Sequence, residues 1–182
     1  MKKLFVKQSE AFYGFGKIMG LSPLPLDDLV TYLLNTLEKE GFEMDEETAF
    51  YLARKVAGHP HYFKILAQAV LDRLPREKFT IEKRDVDLGY QEALDQGRGE
   101  LDTVWSSLSR ASLQRQVLKF LAWEESKPYS NTAFPSTDKA QIYFALTDLE
   151  RKGILKKRGR GKYAFVNPFF PDYLRRFSEG SF

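Results

Sequence analysis

The sequence predicts a mainly α chain, a helical bundle followed by a winged helix-turn-helix domain with a small β-hairpin wing. Three observations predict it. Apolar residues recur at three-and-four spacing through most of the chain. The segment "ILKKRGRGKYAFV" holds two β-prone runs around a basic, Gly-containing turn. The charge also changes sign midway: residues 1–100 carry 14 basic and 17 acidic side chains, residues 101–182 carry 14 and 8, so the halves stand at −3 and +6. Two units with different partners are expected from that asymmetry, the basic one favouring nucleic acid modestly.

The elements follow in order. Leu26, Leu29, Val30, Leu33 and Leu37 line one helix face, and Gly41 stops it. Asp45 is placed to cap the next helix, with Glu46 and Glu47 in its first turn and Ala49, Leu52, Ala53 and Val56 inside, closed by Gly58. A third helix starts at Pro60 and runs to Leu74. Its Phe63, Ile65, Leu66, Ala69 and Val70 spread around the axis, which makes it the central one. An extended piece, Phe79 to Ile81, precedes a fourth stripe of Val86, Tyr90, Ala93 and Leu94. The stripe resumes at Leu101, Val104, Trp105 and Leu108 after Gly97-Arg98-Gly99, where a hinge and the domain boundary are expected.

In the second half Ser109 is placed to cap a helix with Leu113, Val117, Phe120 and Leu121 inward. A polar stretch from Lys127 to Pro135 leads to a helix from Ser136 to Lys152, with Ile142, Leu146 and Leu149 inward and Gly153 at its end. The hairpin comes next, and Asn167-Pro168 opens a last helix through "FFPDYLRRF". A helix directly followed by such a hairpin occupies the recognition position of a winged module.

With these elements in place, "LSPLPLDDLVTYL", "ARKVAGHPHYFKILAQ", the Trp105-x-x-Leu108 pair and "GRGKYAFVNPFF" together resemble the C-terminal portion of prokaryotic AAA+/STAND-type ATPases of the archaeal-ATPase group. Gly58-His59-Pro60 and Asn167-Pro168-Phe169 are the specific parts of the likeness. The resemblance implies three segments: residues 1–24 as the last helix and strand of a nucleotide-binding core, 25–98 as a helical lid, and 99–182 as a winged-helix domain. It implies that Gly58, His59 and Pro60 sense the phosphates of a nucleotide held by such a core. It also implies that ATP and magnesium belong to a longer parent protein, so that this chain is a fragment or the product of a truncated gene with no cofactor of its own.

"FYGFGKIMG" tests whether the chain carries a phosphate loop itself. That loop needs Gly-x-x-x-x-Gly-Lys-Ser/Thr, so that backbone N–H groups cradle phosphate and a hydroxyl reaches magnesium. Anchored on Gly16-Lys17, the first glycine falls at Ala11 and the hydroxyl at Ile18. Both requirements fail, so no ATPase activity is expected from the chain alone. No nucleophile-and-base spacing emerges either, and Asp27-Asp28 fits a helix first turn.

His59 and His61 are the only histidines, and there is no cysteine. On a helix their side chains point about 200° apart, and no third ligand completes a zinc site, so no metal is expected. The wing offers Lys156, Lys157, Arg158, Arg160 and Lys162, with Lys139 and Arg151 on the preceding helix, as phosphate contacts for double-stranded DNA. Against sequence readout, the outward face of that helix also presents Tyr143, Phe144, Thr147 and Asp148. An exposed aromatic pair marks a partner surface for the missing ATPase core or another protein subunit. Without a signal segment, a long apolar run or a disulfide framework, a cytoplasmic protein with no membrane partner is expected.

Overall fold

The computed structural model describes residues 24–108, 110–124, 128, 134 and 137–177. The expected remnant of a nucleotide-binding core therefore lies outside the described residues, except for Leu24. So do Ser109 and most of the polar stretch from Lys127 to Pro135.

Helix α1 (Leu26–Lys39) buries Leu29, Val30, Leu33 and Leu37 and carries Asp27 and Asp28 in its first turn. Gly41, at φ +80°, closes it: its N–H bonds Glu38 O at 3.1 Å while Phe42 N–H reaches back to Leu37 O at 2.9 Å. This paired closure satisfies carbonyls the helix end would otherwise strand. The chain then forms β1 (Glu43–Met44) and turns into α2 (Glu46–Lys55), where Asp45 accepts a hydrogen bond from Thr48 N–H at 2.6 Å. That bond holds the Asp45 carboxyl below its usual range.

Helix α3 (Pro60–Arg73) packs most closely on α4 (Lys83–Gln96). The reason is Gly89: a Cβ there would stand 2.5 Å from Val70 Cγ2 and 2.8 Å from the Val70 backbone, so only glycine lets the helices approach this far. Between them β2 (Thr80–Ile81) pairs in parallel with β1, Glu43 opposite Thr80 and Met44 opposite Ile81. The sequence marks the extended piece but not its partner.

At Gly97 the backbone stays in the helical region, at φ −77° and ψ −6°, and Leu101 N–H bonds Gly97 O at 3.3 Å. The interruption is a one-residue break between α4 and α5 (Arg98–Ser107), with no loop. Helix α6 (Ser112–Glu124) starts three residues after the expected cap, Ser109. It buries Val117, Leu118, Leu121 and Ala122, while Leu113 and Phe120 are only partly covered. Helix α7 (Lys139–Arg151) starts at the Asp138 cap, whose carboxylate accepts from Ala140 N–H at 3.0 Å, and so later than the expected Ser136.

Strands β3 (Leu155–Gly159) and β4 (Lys162–Phe165) form an antiparallel hairpin, Leu155 opposite Phe165. Gly161, at φ +70°, makes its turn. Asn167 Oδ1 accepts from Phe169 N–H at 2.9 Å and leads into α8 (Phe170–Phe177). The fold is the expected class: mainly helical, a bundle followed by a small winged element. One apolar core runs through it, from Leu29 to Leu174. Helix α8 packs on α5 and α6, and Tyr90, before the Gly97 break, reaches its Asp172.

Candidate functional site

The Gly58-His59-Pro60 turn is built by the end of α2. Ala57 N–H bonds Arg54 O at 3.0 Å and Gly58 N–H bonds Ala53 O at 3.2 Å, the same closure that Gly41 makes for α1. Here the left-handed position falls on Ala57, at φ +49°, with Gly58 following at +69°. Gly58 therefore closes the helix only jointly with a strained alanine. His59 is extended (φ −81°, ψ 113°) and Pro60 begins α3.

One expectation about His59 is corrected, its separation from His61. His59 occupies the cap position of α3 but gives no side-chain cap bond, and the first turn of α3 holds no acidic residue. Its Nδ1 is buried and unpartnered among the described residues. The two imidazoles also do not point apart: their centroids are 6.5 Å from each other, and both flank the Tyr62 ring, at 4.8 and 5.0 Å. The helical rotation of about 100° per residue does not apply, because His59 precedes the helix on extended backbone. Burial, then the neighbouring His61, hold the His59 pKa below its ordinary value, so the ring is kept neutral. No group of three His, Cys, Asp or Glu side chains suited to a metal ion exists among the described residues.

From this turn an aromatic path leads to the winged element. Tyr62 meets Phe169 edge to face, with centroids 5.5 Å apart, and Phe169 lies 5.2 Å from Tyr90. Phe169 is buried and stands between the hairpin and α8. Two tyrosine–carboxylate bonds then clasp α8 to α4 and α5. Tyr90 Oη donates to Asp172 Oδ2 at 2.7 Å, and Tyr173 Oη donates to Asp102 Oδ1 at 2.6 Å. Arg175 pairs with Asp172 at 2.7 Å, and Arg98 pairs with Asp102 while covering the Phe177 ring at 4.4 Å. None of these partners announced itself in the sequence. Each residue type is common, and only the folded chain brings them together.

On α7 the outward face is as expected: Lys139 and Thr147 are exposed, and Tyr143 and Phe144 are 52% and 68% exposed with ring centroids 5.8 Å apart. Asp148 is not free to repel phosphate. Lys152 lies 2.9 Å from its carboxylate, Arg151 pairs with it, and Gln114 donates to it at 2.6 Å, which together hold its carboxyl far below the usual range. Arg151 is thereby engaged as well. Lys156, Lys157, Arg158, Arg160 and Lys162 are all exposed on the hairpin, without an ion-pair partner among the described residues.

No family model matches the chain, and no curated protein matches it. A solved structure shares its fold. It is a Walker-type ATPase of Pyrococcus abyssi, at 16% identity and a TM-score of 0.65, over 93% of this chain and 47% of that one. The chain thus spans about half the length of the ATPase it resembles. At this identity the likeness is one of fold. No helix among the described residues is long and apolar enough to cross a membrane.

Proposed function

We propose that the chain is the nucleotide-responsive but non-hydrolytic part of a STAND-type ATPase. In this reading a helical lid passes the nucleotide state of a core to a winged-helix module, which contacts a protein partner. The observation that carries the reading is the Gly58-His59-Pro60 turn. It presents a helix N-terminus with no side-chain cap and no first-turn acid, beside a neutral imidazole whose Nδ1 lacks a partner among the described residues. Such an end favours an anion, and the phosphates of ATP are anions of the right kind. The fold shared with about half of a Walker-type ATPase supports the same assignment.

The chain's own residues supply the response. An anion at the turn hydrogen-bonds or repositions His59, and the ring cannot move without disturbing Tyr62, on which it packs at 4.8 Å. Tyr62 bears on Phe169, and Phe169 joins the hairpin to α8. ATP with magnesium, bound by a core, supplies the hydrolysis. The test is steady-state ATPase of the longer protein encoded when the reading frame is extended upstream of Met1. His59→Ala should lower kcat at least tenfold with the protein still folded. An upstream frame without a phosphate loop, or an unchanged kcat and KM, would remove the reading.

A second reading is favoured by a specific observation, the five exposed cations of the hairpin, which have no ion-pair partner among the described residues. It makes the module a free-standing DNA-binding protein that grips phosphate without reading sequence. Titration of a labelled duplex at two salt concentrations tests it. Binding that weakens with salt and is lost on replacing Lys156, Lys157 and Arg158 with Ala supports DNA; no binding at low salt excludes it.

A further inference from the structure

The first turn of α6 and the outer face of α7 enclose an open groove of about 440 Å³. Leu113, Phe144 and Ala145 give it an apolar wall, and Arg110, Gln141 and Asp148 line its polar side. We infer that this groove docks a short acidic segment of a protein partner, whose apolar side chain packs on Phe144 and whose carboxylates meet Arg110 and Lys139.

Three features select that occupant. Phe144 is 68% exposed and meets the half-exposed Tyr143 edge to face, so the wall presents apolar area that a partner's side chain would cover. The charge around it is positive in effect. Arg110 lines the groove, and Lys139 stands one helical turn before Tyr143; neither has an ion-pair partner among the described residues. Of the nearby carboxylates, Asp148 is already answered by Arg151, Lys152 and Gln114, and Asp138 caps the start of α7 through the Ala140 N–H. A phosphodiester backbone fits poorly, because it would leave both aromatic rings uncovered. An acidic peptide with an apolar anchor satisfies both halves of the surface.

The inference rests on the winged element being a protein-docking unit and needs neither nucleotide nor a core, so its failure is distinguishable from failure of the ATPase reading. The folded chain is used to select from short random peptides displayed on phage, and selected peptides are then titrated by fluorescence anisotropy. Enrichment of Asp and Glu around a Leu, Phe or Trp is expected. Phe144→Ala should weaken binding roughly tenfold or more. Joint replacement of Arg110 and Lys139 with Ala should weaken it several-fold and flatten its salt dependence. Trp123→Ser, which removes an exposed aromatic elsewhere on α6, should leave it unchanged. Enrichment of basic peptides, no enrichment, full binding by Phe144→Ala, or displacement of the peptide by a labelled DNA duplex would each overturn the proposal.

Discussion

Tyr62 stands edge to face against Phe169, at an interplanar angle of 87°, and this contact joins the first turn of α3 to the residue from which α8 departs. It ties the candidate nucleotide-facing turn to the winged element through two rings. Phe169 is almost fully buried, so Phe169→Ala should cost about 3–5 kcal/mol. Tyr62→Ala should cost less, because that ring is only partly covered. A double-mutant cycle by urea denaturation should return a coupling of about 0.5–1.5 kcal/mol between them. Strict additivity would mean that the two rings merely share a neighbourhood.

The clasp on α8 makes an alkaline prediction. Burial, then the bonds to Asp172 and Asp102, push the Tyr90 and Tyr173 pKa values well above the ordinary 10.0. A raised folded pKa contributes stability that is complete below the unfolded value and is lost as pH climbs beyond it. The wild-type urea midpoint should therefore fall steeply above pH 10.0. Tyr90→Phe and Tyr173→Phe should each cost about 0.5–1.5 kcal/mol at neutral pH and show a shallower alkaline decline. Equal slopes in wild type and variants would contradict the clasp.

Ala57 carries the left-handed conformation that glycine holds at the ends of α1 and α7. A non-glycine residue there costs about 1–2 kcal/mol, of which the looser unfolded chain of a glycine variant returns about 0.4–1 kcal/mol. Ala57→Gly should thus raise stability by up to about 1.6 kcal/mol, read as a higher denaturation midpoint at an unchanged m-value. A destabilised variant would show that the alanine methyl has a packing role.

His59 gives the acid-side prediction. Its folded pKa lies below the ordinary 6.5 because burial and His61 both oppose the charge. The folded state then binds fewer protons than the unfolded one, so stability is complete above pH 6.5 and declines as pH falls below it. His59→Gln should flatten that decline, measured as the urea midpoint from neutral to mildly acidic pH. A decline of unchanged size would place it elsewhere.

Much of this fold is legible in the residues, because helices declare themselves locally. Asp45, Gly41 and Gly153 mark ends through their own backbone preferences, and the basic Gly turn announces the hairpin. What escaped depends on distant partners. The β1–β2 bridge has two residues per strand, too few for any period to register. In α6 the buried face includes Leu118 and Ala122, missed because α8 packs on this helix in addition to α7 and widens the covered arc. At the site, the Gly-His-Pro motif was readable but the direction of the His59 ring was not. That direction follows from extended backbone at the cap, one residue before helical spacing begins. The Tyr62–Phe169 contact had no local signal at all.

The measurement closest to the central claim is phosphate release from Mg-ATP by the purified chain alone. The account predicts no turnover above buffer, for the wild type and for His59→Ala alike. Sustained hydrolysis by the wild-type chain would contradict it.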